Sequence, residues 1–478
     1  MGKTLDKEVL RNLGTAEHIY LIENLQEQVL LLKEQIKRIT EKNKQLESNA
    51  NKNSRNSNKP SSTDDIGKKK KHKTKSLKKK TGKAVGGQLG HKGTTLAMSE
   101  KPDTVIRFPV TKCDNCNCNL KDKQAEIDKR QEFEIPEPKM IVTKYQTESK
   151  RCSCGYTTTS CFPEHITHKT QYGARARSLM VYMNQYQFIP FERASEFFTA
   201  VYGHKISPAT ISNAVSYLAN RLGGLEKDIK DFLIAANLIN CDETSANING
   251  VKHWLHTVGT KEVAHYDIHK NRSKAATQEI GILPEFKGKM VHDHWKSYFS
   301  YTNAGHALCN AHHLRELLHL DENQHMKWAP KMSLLLVSIK ENKEKQLSEG
   351  KNSFSNHFLN KYNSAYDEIL EKARKEQARQ GTIDSHNLIK RLKLFKNETL
   401  LFMNDFSVPF TNNLSEQDLR MTKVKQKISG CFKNLKNGKN FCKIRNLVIT
   451  ARKNGKNIFK TIQEAFNADM NLEKLLAT

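Results

Sequence analysis

No stretch of this 478-residue sequence is apolar over the roughly 18 residues that cross a bilayer, and none carries a lipidation signal. The N-terminus lacks the apolar run of a secretory leader, so the expectation is a protein of the reducing cytoplasm. Its ten cysteines are then thiols or metal ligands rather than disulfide partners. Acidic residues are also scarce. Asp and Glu number 51 against 79 Lys and Arg, a net charge of +28. Such an imbalance points to a polyanionic partner, with nucleic acid first. An anionic membrane surface is the weaker choice, given no anchor or apolar run. The length accommodates about two to four domains with cores that need no covalent staple.

What is present is sharply segmented. Within an N-terminal segment, 1–47, residues 18–47 follow a heptad: Ile22, Val29 and Ile36 share one apolar position, Leu25, Leu32, Ile39 and Leu46 the other, and Asn43 continues the first. β-branched residues at a, mostly Leu at d and one amide at a favour a parallel two-stranded zipper. The plain alternative is an amphipathic helix packed on its own domain. Residues 48–100 are polar and low in complexity, with a lysine cluster at 68–80, and read as a basic disordered linker able to neutralise phosphates. Residues 101–165 read as a small β-rich, zinc-finger-like module. "CDNC" supplies Cys113 and Cys116, and "RCSCGY" supplies Cys152 and Cys154. Four thiolates from two close pairs suit a structural zinc ion, with Cys118 and Cys161 as substitute ligands. Residues 166–232 read as helical, with Ser207 and Pro208 starting a helix after a Gly203 turn. They present either a helix-turn-helix or plain helical packing.

The chemistry is expected in residues 233–320 and 406–478, separated by helices in 321–405. "LINCDET" reads as a strand presenting Asp242 at its end, opening a three-stranded antiparallel meander over 238–269. "KMVHDHWKSYF" reads as a short strand ending at Asp293, with His292 and His294 pointing to the opposite face. Two divalent cations about 4 Å apart need several carboxylates, so a third acid is wanted. Glu416, in the first turn of a helix capped by Asn412 or Asn413, is the candidate, and Arg420, Lys423 and Lys427 line one face of that helix. Glu243 is expected to be structural and Asp418 to lie off the acidic face. "CNAHHLREL" joins Cys309 to His312 by C-x-x-H at a helix start.

Asp242, Asp293 and Glu416 on strand, strand and helix resemble the DDE triad of transposases with an RNase H-like core. More specifically, the chain resembles the IS66 family of bacterial insertion-sequence transposases. The likeness is carried by "NSRNSNKPSSTD", "NQYQFIPFERASEFF", "CDET", "GVKHWLHTV", "GILPEFKGKMVHDHWKSYF", "HALCNAHHLREL" and "TNNLSEQDLRMTKVKQKISGCF". The family's second cysteine pair is usually C-x-x-C, whereas here it is C-x-C. The resemblance implies a multidomain α+β protein: N-terminal coiled coil, zinc-finger module, helical DNA-binding region, and an RNase H-like core with a helical insertion. It implies metal-dependent phosphoryl transfer during DNA transposition. Asp242 would bridge two Mg²⁺ or Mn²⁺ ions, and Asp293 and Glu416 would hold one each. It further implies element terminal inverted repeats and target DNA as partners, a homodimer or larger assembly, element-encoded accessory proteins, no membrane, and a nucleoid-associated cytoplasmic location. Two other functions fit the same features: a catalytically silent DNA-binding accessory protein, and an RNase H-like nuclease that cuts without joining.

Overall fold

The computed structural model describes residues 14–50, 52 and 95–477. The lysine cluster at 68–80 lies outside the described residues. Helix α1 (Thr15–Ala50) is unbroken over 36 residues. Its heptad positions Ile22, Leu25, Val29, Leu32, Ile36, Ile39 and Leu46 all stand exposed.

The β-rich expectation for 101–165 is corrected. Among the described residues there, the only ladder is β1 (Ser149–Arg151) against antiparallel β2 (Thr157–Thr159), plus an isolated bridge between Lys112 and Asn119. Backbone bonds close tight turns around the cysteines instead: Cys113 N donates to Cys118 O at 3.0 Å and Cys152 N to Tyr156 O at 2.8 Å. Apolar residues such as Phe108, Ile135 and Val142 stay exposed, so no buried face enforces strand register.

Four helices follow: α2 (Ala174–Val181), extended by a π-helical turn at Tyr182–Tyr186, then α3 (Phe191–Tyr202), α4 (Pro208–Arg221) and α5 (Gly223–Ala235). The Ser207 side chain accepts from Thr210 N and caps α4, with Pro208 at its first position. Gly203 ends α3 in the left-handed region.

The central sheet comprises β3 (Leu238–Ile248), β4 (Val251–Gly259), β5 (Ala264–His269), β6 (Lys289–His292) and β7 (Gly305–Leu308), in the order β5-β4-β3-β6-β7. The first three form the expected antiparallel meander. Asn249 and Gly250, both at positive φ, make the two-residue turn between β3 and β4. Helix α6 (Lys274–Ile280) leads back to β6, which pairs parallel to β3, and β7 pairs parallel to β6. A Cβ at Gly288 would lie 2.6 Å from the Ala236 carbonyl, so only glycine lets β6 begin this close to β3.

Beyond β7 come α7 (Asn310–Gln324), α8 (Trp328–Ser348), α9 (Asn356–Gln380), α10 (Ile383–Leu394) and α11 (Lys396–Asn404). The chain then returns to the sheet with α12 (Asn413–Ser429), α13 (Leu435–Lys453), α14 (Ile458–Asn467) and α15 (Leu472–Leu476). Helix α12 packs on β3 and β4, α13 on β5, and α11 on β7. Two apolar cores result. One gathers Leu218, Ile229, Ile239, Leu255, Ile268 and Leu447. The other gathers Val291, Leu317, Met332, Tyr366, Leu388 and Phe402. Each fully buried side chain of this kind contributes about 1.5–3 kcal/mol. The seam between the cores runs along β3 and β6. The chain is a multidomain mixture of helix and strand, and no described helix is long and apolar enough to cross a membrane.

Candidate active site

Asp242 lies inside β3, not at its end as the sequence suggested. The strand runs on to Ile248 because β4 pairs with it throughout, Asp242 facing Thr257. The parallel pairing with β6, however, stops at Asn240 opposite Val291. Asp242 therefore sits just past the point where one neighbour strand ends. Asp293 is the first residue after β6, in a turn where its Oδ1 accepts from Trp295 N at 2.9 Å. Both aspartates thus emerge from adjacent parallel strands at the same edge. Because β6 ends at His292, His294 is not in a strand and has no defined opposite face, a second correction. His292 is fully buried, 3.0 Å from His306 and packed against Tyr298 and Phe299. Burial pushes its pKa down to about 3.

Glu416 occupies the first turn of α12, as expected. Its Oε1 lies 3.5 Å from His312 Nε2. The Sγ of Cys309, the His312 ring and the Glu416 carboxylate all lie within 4.8 Å of one another. The C-x-x-H element at the start of α7 therefore meets the third acid, a contact between residues over a hundred positions apart that no local spacing announces.

Among the described residues the Asp242, Asp293 and Glu416 carboxylates do not all lie within 4.8 Å of one another, but their charges act on each other. Burial pushes the Asp242 carboxyl well above the usual range, and the charges of Glu243, Asp293 and Glu416 push it further. Glu416 moves the other way: the His312 imidazole holds its carboxyl below the usual range against burial, with Arg315 helping. Groups set apart in this way hold protons differently at one pH.

Glu243 is close to the site. Buried beside Asp242, it accepts from Arg272 and from the Tyr298 hydroxyl. Arg272 lies over the rings of Trp254 and Trp295, and its Nη2, which also pairs with Glu243, is 3.7 Å from Asp293 Oδ2. Nothing in the sequence marked Arg272 for this position. Asp418 is also structural, paired with Lys453 at 2.8 Å.

Two expectations about α12 are corrected. Asn412 is the N-cap residue but its side chain makes no cap bond. Its amide nitrogen donates to Cys241 O at 2.8 Å, and its oxygen accepts from Asn240 at 2.7 Å. Lys423 does not join an exposed cationic stripe, because its ammonium donates to Ser245 O and Oγ of β3 at 2.9 and 3.1 Å. Arg420 and Lys427 remain exposed.

The cysteine module presents two thiol-bearing turns. Hydrogen bonds from Cys118 and then Cys113 lower the Cys116 thiol, and bonds from Cys154 and Ser153 lower Cys152. Cys113, Cys116, Cys152 and Cys154 are not gathered into one cluster. Among the described residues, Cys309, His312 and Glu416 form the only such trio.

Three family models match segments of the chain. The zinc-finger binding domain of transposase IS66 matches residues 111–155, which include all four proposed ligands and Cys118 and stop before Cys161. A family of unknown function matches residues 7–97. No curated protein matches the chain. The transposase IS66 family model matches residues 169–440, more than half of the chain and inclusive of Asp242, Asp293 and Glu416. The chain belongs to the IS66 family of transposases.

Proposed function

We propose that the protein binds the ends of a mobile DNA element and cuts and joins DNA by metal-dependent phosphoryl transfer, with Asp242, Asp293 and Glu416 as the acidic triad. The observation that carries this reading is that Asp242 and Asp293 follow the parallel-paired residues of β3 and β6, while Glu416 stands in the first turn of α12, which packs on β3. The sheet order β5-β4-β3-β6-β7, three antiparallel strands continued by two parallel ones, supports an RNase H-like core with α7–α11 inserted before the glutamate helix.

The donor set fits the metal the family implies. Hard carboxylate oxygens in mutual repulsion suit Mg²⁺ or Mn²⁺, because divalent charge relieves the repulsion. When bound, such ions supply an attacking water or 3′-hydroxyl of lowered pKa and stabilise the leaving oxygen. The chain's own groups do the rest. Asp242, Asp293 and Glu416 would hold the ions. Arg272, fixed by Glu243 and two tryptophans, keeps Asp293 aimed and adds positive charge beside it. His312 orients the Glu416 carboxylate. Exposed Arg420 and Lys427 face solvent on the same helix, where DNA phosphates can reach them.

The remaining segments complete the reading. The zinc-finger match over residues 111–155, rather than the spacing of the thiols in the fold, supports a structural Zn²⁺ that Cys113, Cys116, Cys152 and Cys154 would hold. Helices α3 and α4, joined through Gly203, offer a helix-turn-helix-like DNA contact. The exposed heptad of α1 suits a parallel coiled coil between two copies. The domain limits proposed are 1–47, 48–100, 101–165, 166–232, 233–320, 321–405 and 406–478.

Purified protein incubated with element-end DNA and Mn²⁺ tests the reading. Joined strands are expected, and they should vanish in Asp242→Asn while end binding persists. Cutting without joining would mark a nuclease instead, and binding alone a silent accessory protein.

A further inference from the structure

We propose that Asn240, Cys309 and Asn412 form a buried clasp that sets the relative positions of the three acids. The proposal rests on the reading of Asp242, Asp293 and Glu416 as one metal site.

Each member is tied to the backbone next to a different acid. Asn240 lies two residues before Asp242 on β3. The Cys309 amide donates at 3.0 Å to the carbonyl of His292, the residue before Asp293. The Asn412 carbonyl accepts at 3.2 Å from the Glu416 amide as the first bond of α12. The three are then joined to one another. Asn412 Oδ1 accepts from Asn240 Nδ2 at 2.7 Å, Asn412 Nδ2 donates at 2.8 Å to the carbonyl just before Asp242, and Asn412 N donates to Cys309 Sγ at 3.1 Å. One connected set of bonds therefore spans β3, β6, α7 and α12. All three residues are at most 4% exposed.

Ordinary helix chemistry does not require this arrangement. Cys309 and Asn412 are the N-cap residues of α7 and α12, and neither side chain caps its own helix. Asparagine is among the preferred N-caps because its oxygen accepts from the helix's own amides. Asn412 instead turns both ends of its amide toward β3. A primary amide held at both ends has its plane and direction determined, as a helix-anchoring apolar residue would not. Cys309 acts as an acceptor through sulfur, which a serine hydroxyl can reproduce and an alanine cannot. None of the three is one of the acids themselves, although Cys309 Sγ lies within 4.8 Å of the Glu416 carboxylate, so they are positioning residues.

The test uses the full-length chain and element-end DNA. The Mn²⁺ concentration for half-maximal cleavage is measured alongside melting temperature and DNA binding, for wild type, Asn412→Ala, Cys309→Ala, Cys309→Ser and Asp242→Asn. Asn412→Ala and Cys309→Ala should each require about 10- to 100-fold more Mn²⁺. Cys309→Ser should restore most of the wild-type dependence. A folded Asn412→Ala or Cys309→Ala protein with wild-type Mn²⁺ dependence overturns the clasp, even if its stability is lower. Should Asn412→Ala fail to fold, the Cys309→Ala and Cys309→Ser pair decides, and equal behaviour of the two overturns it as well. Cleavage that persists in Asp242→Asn overturns the metal-site reading itself and the clasp with it. Loss in Asp242→Asn with unchanged clasp variants overturns the clasp alone.

Discussion

Asp242 is held in the folded protein where its charge is least welcome. Its folded pKa lies above the ordinary 3.8, so the native state binds the proton more tightly than the unfolded chain does. Stability therefore falls as pH rises above 3.8, and at neutral pH this carboxylate opposes folding. Asp242→Asn keeps the shape and can still accept from the Glu243 amide. In metal-free buffer we expect it to raise the melting temperature by a few degrees, a gain of about 1 kcal/mol or more, while abolishing activity. A lower melting temperature would show that Asp242 is placed by favourable contacts rather than held against repulsion. Buried histidines act in the opposite pH direction. Burial lowers His256 from 6.5 to about 4, and His313 lies well below 6.5 for the same reason. The unfolded imidazoles take up protons first as pH falls. The stability these groups contribute is full above 6.5 and is lost progressively as pH drops toward 4. Melting temperature followed from pH 7 to 4 should fall steeply, and His256→Gln should flatten the slope. An unchanged slope in that variant would contradict the assignment.

At the level of elements, the joint between α12 and α13 should be costly to break on one side. Lys453 ends α13, pairs with Asp418 on α12 and also donates to Thr260 O at 2.8 Å in the β4–β5 turn. Both charges are largely buried, and burial raises Asp418 and lowers Lys453 against their mutual attraction. Removing one partner leaves an uncompensated charge. Lys453→Met should cost about 3–5 kcal/mol in urea unfolding, and Lys453→Met combined with Asp418→Asn should recover much of it. Purely additive losses would contradict a coupled pair. Elements were also the most legible level in the sequence. The antiparallel meander expected over 238–269 formed as β3, β4 and β5. Strand β6 was expected to end at Asp293 and ends one residue earlier, at His292, because its parallel pairing with β7 stops there. What could not be read depended on partners distant in the chain. Strand β3 continues past Asp242 because β4 lies beside it. The Asn412 side chain leaves its own helix because two acceptable partners on β3 stand within reach, and propensity favoured the local cap. The meeting of Cys309 and His312 with Glu416 arises from packing across more than a hundred residues of intervening helices. In the cysteine module, spacing identified ligand candidates, yet short turns replaced the expected strands because exposed apolar residues fix no register.

For the whole molecule, the net charge of +28 was legible from composition alone and carries its own test. DNA affinity should fall linearly on logarithmic axes as salt rises, with a slope set by the number of phosphates neutralised. Deleting residues 48–94 removes the lysine cluster and should make that slope shallower without abolishing end-specific binding. An unchanged slope would place the phosphate contacts elsewhere, on the helical region or on α12. The most direct measurement of the central claim is Mn²⁺ binding to intact protein, followed by electron paramagnetic resonance without DNA. Asp242→Asn, Asp293→Asn and Glu416→Gln should each lose the same bound ions, because the three side chains share them. If Glu416→Gln bound Mn²⁺ as wild type does, the helix acid would stand outside the site and the triad would be contradicted.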